Sequence, residues 1–277
     1  MGLESMDKLM PHTRTAIILA AGAGSRLLPH TAHIPKCLTP IAGQPILRYQ
    51  IAALRQCGVD DIVIVVGYLA ERIRDYVDSS VTLVENREYA TTNSSYSLWL
   101  AREHMSNGFI HLNSDLVFEP QMLQTLLEAP DENGIIVDRR ILAGSDMMKC
   151  QMDGRRILRM GKKLTTDAAA EVVGPARFGA AGAAILSTRL SELASGPDRR
   201  QWAYSVFGEL AIDLAFTGVD NPGYFWAEVD TVADKREAER RIPQPLVAFA
   251  ARDAIASRAQ TLRALSPAAD AFPTHAS

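Results

Sequence analysis

TAIILAAGAGSRLLPHTAHIPK, residues 15–36, is the stretch from which the fold is read. Its apolar run, Ala16 to Ala20, bounded by Thr15, predicts a buried first strand of an α/β sheet. Small residues follow the strand: Ala21, Gly22, Ala23, Gly24 and Ser25. They let backbone N–H groups approach a ligand with no side chain in the way, and successive inward N–H groups make an anion cradle. Arg26 and Lys36 then add two positive charges, one able to grip phosphate oxygens in bidentate fashion, the other a point charge on a flexible stem. A polyphosphate site at the carboxyl end of the first strand is the expectation.

Two glycine-loop motifs fail here. A dinucleotide fingerprint needs a third glycine where this chain has Leu27, and no Walker A loop is present. Nor does a ribose-binding acid follow the second strand at Val65-Val66-Gly67-Tyr68, which argues against an NAD-dependent enzyme. The stretch instead resembles the signature of the sugar-phosphate nucleotidylyltransferase superfamily, carried by Leu19, Ala20, Ala21, Gly22, Gly24, Ser25, Arg26, Leu27, Pro29, Thr31, Pro35 and Lys36.

Downstream, the pattern alternates between strand and helix. Ile46 to Cys57 has helical spacing with Gly58 as its stop. Asp61 to Val66 is a second strand, Leu69 to Val77 a helix and Val81 to Val84 a third strand, a βαβαβ order that predicts parallel pairing. The polar stretch Glu85 to Tyr96 is either a solvated loop or a loop over a nucleotide, with Ser94 or Ser95 capping a helix from Tyr96 to His104. Gly108 to Leu112 is a fourth strand leading into Asn113-Ser114-Asp115, Glu119-Pro120 starts a helix, and Gly134 to Val137 is a further strand. Lys149 to Met160 reads as a β-hairpin turning at Asp153-Gly154. Gly179 to Leu186 is expected to be a closely packed strand, with helices near Thr188 to Leu193 and Ser205 to Phe216. Tyr224 to Val229 is a late strand delivering Asp230, followed by a charged helix from Thr231 to Arg240. The expected organisation is a lead-in over 1–14, a nucleotidylyltransferase domain over 15–242, and a helical or disordered tail over 243–277.

The 277 residues are 47% hydrophobic and 22% charged, an ordinary globular composition. A net charge of −3 leaves no basic footprint for nucleic acid, and no apolar run is long enough for a membrane span. Cys37, Cys57 and Cys150 are too scattered for a zinc or disulfide pattern and fit reduced thiols in a cytoplasmic protein.

Nucleotidylyl transfer needs the triphosphate held, the α-phosphate made electrophilic, the acceptor placed in line and the pyrophosphate neutralised. Two carboxylates binding Mg²⁺ satisfy much of this, and Asp115 and Asp230, each following an apolar strand, are the candidates. Either aspartate alone also suits a helix N-cap.

Over residues 15–240 the chain looks most similar to the small cytidylyltransferases acting on choline phosphate, inositol-1-phosphate or phosphonates. The segments carrying this are Val66-Gly67-Tyr68, Asn93 to Leu98, Asn113-Ser114-Asp115 and Trp226 to Thr231. The resemblance implies a Rossmann-like, mostly parallel sheet flanked by helices, of the nucleotide-diphospho-sugar transferase (GT-A-like) type, with a small β-hairpin subregion for the acceptor. It implies Mg²⁺ on Asp115 and Asp230, and the triphosphate on Arg26 and Lys36, the catalytic candidates. It puts the nucleotide against Leu19, Ala20, Ala21, Gly22, Gly24, Ser25, Tyr68, Asn93 and Ser94. Lys149 and Lys162 would face the acceptor phosphate or phosphonate, and Glu171 its other end. Where relatives often have G-E-[FY]-I-G, this chain has Ala170-Glu171-Val172-Val173-Gly174. Asp138-Arg139-Arg140 is expected to add positive charge beside the acceptor, which disfavours a purely cation-selecting cage; Trp202, Tyr204 and Trp226 are either core aromatics or an aromatic wall for a trimethylammonium group. The implied partners are a nucleoside triphosphate, CTP first, and a small phosphate- or phosphonate-bearing acceptor, with a homodimer open. The alternatives are a sugar-1-phosphate with UTP, dTTP or GTP, and a non-catalytic nucleotide-binding module.

Overall fold

The computed structural model describes residues 13–140, 147–164 and 168–252. Most of the expected lead-in, and the expected tail from 253 onward, lie outside the described residues. In chain order, strand β1 (Thr15–Ala20) leads into short 3-10 turns and a two-strand ladder of β2 (Pro40–Ile41) and β3 (Gln44–Pro45). Helix α1 (Ile46–Gln56), β4 (Asp61–Val66), α2 (Ala70–Arg74), β5 (Val81–Glu85) and α3 (Ser94–Leu100) follow. Next come β6 (Phe109–Asn113), β7 (Leu116–Phe118), α4 (Pro120–Glu128), β8 (Gly134–Asp138) and the hairpin β9 (Lys149–Asp153) and β10 (Arg156–Gly161). The chain continues through β11 (Ala170–Phe178), α5 (Ala180–Ser195), α6 (Ala203–Glu209), β12 (Thr217–Asp220), β13 (Trp226–Glu228) and α7 (Val232–Arg241).

Nine strands form one sheet in the order β5-β4-β1-β6-β11-β8-β12-β10-β9. The first four are parallel, as the βαβαβ pattern requires. Beyond them β11 runs antiparallel to both β6 and β8, so the second half of the sheet is mixed. The β9–β10 hairpin closes that edge and β9 also pairs with β11, which ties the hairpin to the sheet centre. Both faces of β1 are buried, which is why its sequence reads as a continuous apolar run rather than an alternation. Ala16, Ile18 and Ala20 pack on one side with α1 and α4, while Ile17 and Leu19 pack on the other with α3, α5 and α6.

The segment expected as a strand at Gly179 to Leu186 belongs to helix α5. Close packing is present, but against a loop: a Cβ at Gly182 would lie 2.1 Å from the Asn133 side chain. An alanine-rich run serves a close-packed helix as well as a close-packed strand, and here helix propensity decides. Helix α3 begins two residues earlier than expected and takes Asn93 as its N-cap. Ser94 and Ser95 instead bind the segment before α6, where the Ser94 hydroxyl accepts from the Ala203 N–H and the Ser95 hydroxyl donates to the Gln201 carbonyl. The helix expected over Ser205 to Phe216 ends at Glu209. Residues 244–252 are helical, and Leu246 and Ala250 pack with Leu27, Tyr49 and Val229 beneath the glycine loop. Among the described residues no helix is long and apolar enough to cross a membrane.

Candidate active site

The glycine loop leaves the end of β1, in the middle of the parallel half of the sheet, where such sheets bind ligands. Gly24 adopts φ +59°, and a Cβ there would lie 2.9 Å from Cβ of Lys36. Glycine is therefore required both for the backbone turn and to let Lys36 cross against the loop. The Thr31 hydroxyl donates to the Gly24 carbonyl at 2.9 Å and fixes this crossing. A Cβ at Gly22 would meet nothing within 4 Å, so the loop presents bare backbone to open space.

The two aspartates, 115 residues apart in sequence, meet through a small ladder. Strand β7 follows Asp115 and pairs antiparallel with β13, with Glu228 opposite Leu116. The Val229 N–H donates to the Asp115 carbonyl at 2.9 Å, which sets Asp230 beside Asp115. Thr231 and Asp234 form a capping box on α7, so the N-cap role considered for Asp230 falls to its neighbour.

Lys36 Nζ donates to Asp115 Oδ2 at 2.7 Å and also to Asp230 Oδ1. Arg26 donates to Asp230 Oδ2 at 2.6 Å. Burial pulls the Lys36 ammonium down, but Asp115 and Asp230 together outweigh it and hold the group above its ordinary value. Asp115, Glu228 and Asp230 each offer a carboxylate oxygen, all within 4.8 Å of one another. Burial, then Asp115 and Asp230, push Glu228 up to about 8, with Lys36 and Lys162 opposing. Three clustered hard oxygen donors suit a small divalent cation such as Mg²⁺.

This cluster sits where two cavities join. The first, of about 350 Å³, is lined by Leu19, Ala21, Gly22, Gly24, Ser25, Arg26, Lys36, Asn93, Ser94, Asp115, Lys162 and Asp230, all singled out from sequence. Asn86, Tyr89, Thr92 and Ser97 also line it, so the polar stretch after β5 lies over the cavity. It is held there because Asn86 donates to the Ser97 and Thr92 hydroxyls and accepts from the Glu88 N–H. The second cavity, of about 530 Å³, extends from Arg26, Asp115 and Asp230 past Trp202, Tyr204 and Trp226 to Glu171.

Several of the residues named from the sequence lie outside the two cavities or are engaged by other groups. Ala20 turns into the core on the face opposite Leu19 and lines neither cavity. Tyr68 also lies outside both; its hydroxyl donates to the Thr31 and Ala32 carbonyls at 3.0 and 3.2 Å, bracing the loop from behind. Lys149 lines neither cavity, and its ammonium donates to the Lys162 carbonyl at 3.1 Å. The positive charge expected from Arg139 and Arg140 is cancelled, by Asp220 at 2.7 Å and Asp138 at 2.6 Å. Burial pushes Asp138 upward, but hydrogen bonds from Arg140 and Trp226 outweigh it and hold the carboxyl at about 2. The sequence reading gave no site role to Glu228. The signal was available: it stands two residues before Asp230, and strand alternation puts both on one face.

A family model described as the MobA-like NTP transferase domain matches residues 16–170. The chain is 33% identical over 254 residues to a CMP-5'-(3-aminopropyl)phosphonate synthase of Streptomyces rubellomurinus, covering 83% of this chain and 39% of that one. It superposes on the inositol-1-phosphate CTP transferase of T. maritima with a TM-score of 0.69 at 22% identity, covering 86% of this chain and 95% of that one. For the CTP:phosphocholine cytidylyltransferase of Streptococcus pneumoniae the TM-score is 0.67 at 25% identity, covering 82% and 98%. The chain spans 39% to 52% of the length of the first curated relatives it matches. With the matched model running from β1 to the start of β11, the chain belongs to the MobA-like NTP transferase domain family.

Proposed function

We propose that the protein is a Mg²⁺-dependent cytidylyltransferase that joins CTP to a small phosphorylated or phosphonylated alcohol and releases pyrophosphate. The observation that carries this is the convergence of Arg26 and Lys36, from the glycine loop, with Asp115 and Asp230 at the junction of two cavities. One cavity suits the nucleotide and the other the acceptor. The relatives named as CTP transferases acting on phosphocholine, and as a synthase of a CMP-linked phosphonate, support the choice of substrates.

In this reading the bare backbone around Gly22 holds the triphosphate, and Leu19, Asn93 and Ser94 flank the nucleoside. Arg26 and Lys36 leave the carboxylates to neutralise the phosphates, where charge builds as pyrophosphate departs. Asp115 and Asp230, with Glu228 beside them, would hold the metal. When bound, Mg²⁺ would polarise the α-phosphate and offset the charge of the triphosphate. An acceptor oxygen, placed in line by the second cavity and drawn by Lys162, bonds to the α-phosphorus as the bond to the β-phosphate oxygen breaks. The acceptor is already anionic, so no protein nucleophile or general base is needed. Lys162 is held for this by its position 4.0 Å over the Trp202 ring. A cytoplasmic location, where CTP and Mg²⁺ are available, belongs to this reading.

The test is a grid of CTP, UTP, dTTP, GTP and ATP against phosphocholine, 2-aminoethylphosphonate, 2-hydroxyethylphosphonate, inositol-1-phosphate and glucose-1-phosphate, read by pyrophosphate release and product mass. A CMP-linked product with a non-sugar acceptor is expected. Turnover confined to glucose-1-phosphate with another nucleotide would overturn the proposal.

A further inference from the structure

Helix α1 turns an apolar face to the core, with Ile46, Leu47, Ile51 and Leu54 buried on it. Gln50 stands among them and is wholly buried, an amide where the helix period calls for a hydrocarbon. Its Nε2 donates to two main-chain carbonyls, of Asn113 at 2.7 Å and of Leu116 at 2.9 Å. These are the last residue of β6 and the first of β7, with only Ser114 and Asp115 between them. One amide group therefore ties together both ends of the turn that carries Asp115. Gln50 Oε1 has no partner among the described residues. Turning the amide over would set that oxygen against two carbonyl oxygens, so the chemistry of the neighbours fixes which end points at the turn. A buried polar atom left unmatched is unfavourable, and leucine or methionine would fill the space without one. What glutamine supplies instead is two N–H donors on one rigid plane.

Other bonds hold the turn to its neighbours. The Ser114 N–H donates to the Leu19 carbonyl at 3.3 Å, and the Asp115 carbonyl accepts from the Val229 N–H at 2.9 Å. They tie the turn to β1 and to the end of β13, whereas the Gln50 amide sets the bend between β6 and β7. From that bend the Asp115 carboxylate reaches Lys36, and one of its oxygens lies within 4.8 Å of oxygens of Glu228 and Asp230. The base of the clamp is anchored too, since the Ile46 N–H at the start of α1 donates to the Thr39 carbonyl, three residues beyond Lys36, at 3.2 Å. Gln50 itself lines neither cavity. Mg²⁺ demands near-ideal geometry, so a small displacement of one carboxylate is felt in affinity.

We propose that Gln50 is a positioning residue for the acid cluster: its amide holds the Asp115 carboxylate at the spacing from Glu228 and Asp230 that a divalent cation requires, without touching the cation or either substrate. This rests on the reading of those three carboxylates as a metal site.

The experiment uses the full chain and Gln50→Met, which keeps the volume and removes both donors. Leu126→Ala, on α4 in the same core cluster, is the control for lost stability. Mn²⁺ binding to the nucleotide-free protein is read by electron paramagnetic resonance, and the Mg²⁺ concentration for half-maximal turnover is read at saturating CTP. Gln50→Met is expected to weaken Mn²⁺ binding and raise the Mg²⁺ requirement, each by roughly 10- to 100-fold, with KM for the acceptor unmoved. A merely structural loss lowers the fraction of working protein, and so kcat, but leaves the metal affinity of the remainder as it was; Leu126→Ala is expected to show that pattern. Gln50→Ala is the second variant: water can enter the vacated space and donate to the two carbonyls without fixing them, and the same direction of change is expected. Unchanged Mn²⁺ binding in either folded variant overturns the inference, as does equal weakening in Leu126→Ala. Failure of both Gln50 variants to fold also overturns it, by assigning the amide to the core alone. Weakened Mn²⁺ binding, with no transfer from CTP by the unaltered protein, overturns the transfer reading and leaves this inference standing. Absence of Mn²⁺ binding by the unaltered protein overturns the metal reading and this inference with it.

Discussion

Glu171 is 1% exposed and its carboxylate oxygens have no hydrogen-bond partner among the described residues, so replacing it by glutamine removes a shielded charge, and the consequence for stability is specific in pH. The group's ordinary value is 4.5 and the folded protein raises it to about 7. The folded state therefore holds this proton more tightly than the unfolded chain. Its contribution to stability is fully present below pH 4.5 and is lost as pH rises through about 7. Each pH unit between these values is worth roughly 1.4 kcal/mol, so wild type forfeits about 3 kcal/mol by pH 8, an upper bound if water enters the cavity. Glutamine cannot ionise and forfeits nothing. Urea unfolding of both proteins from pH 4 to pH 8 should show the variant gaining on wild type across that interval, by at most about 3 kcal/mol. Any cost of burying the amide is the same at every pH and drops out of the trend. A stability difference that is flat with pH, or that moves against the variant as pH rises, would refute the placement of Glu171 as an unpaired buried acid.

Three further outcomes follow from the site. Asp115→Asn and Asp230→Asn should each lower kcat at saturating Mg²⁺ by roughly 100-fold or more with little change in the circular dichroism spectrum; near-normal turnover by both would remove them from metal binding. Lys36→Met should tighten Mg²⁺ binding to the nucleotide-free protein, measured by calorimetry, because the ammonium that contacts both aspartates is gone, while CTP binding weakens; unchanged Mg²⁺ affinity would show that Lys36 does not compete for those oxygens. Gly24→Ala forces a side chain into φ +59° and against Lys36, so it should cost about 1–2 kcal/mol in thermal unfolding and reduce kcat/KM together; an unaffected melting temperature would contradict the tight crossing.

What was legible in the sequence was local. The glycine loop announced itself because strand, small residues and two basic side chains lie within 22 residues. Asp115 and Asp230 were legible as strand-end carboxylates, although the β7–β13 ladder that unites them leaves no mark in the sequence. The sequence is silent where a distant partner decides what a side chain touches. Arg139 looks like free charge until Asp220, 81 residues later, is folded against it. Tyr68 stands two residues beyond β4, as expected of a ligand-facing residue, yet it finds carbonyls of the loop at 31 and 32 to brace. Ala20 and Glu228 are different, because strand alternation alone sends Ala20 to the face opposite Leu19 and brings Glu228 to the face of Asp230. The reading of α5 failed because small residues mark close approach without saying which element approaches.

The central claim is that the junction of the two cavities transfers a nucleotidyl group, and position-labelled CTP tests it most directly. With Mg²⁺ and 2-aminoethylphosphonate, label at the α-phosphate should follow the acceptor into a CMP-linked product, and label at the γ-phosphate should leave as pyrophosphate. Label from the γ-phosphate appearing on the acceptor, or CTP bound in the first cavity with no transfer to any phosphate- or phosphonate-bearing acceptor, would contradict it.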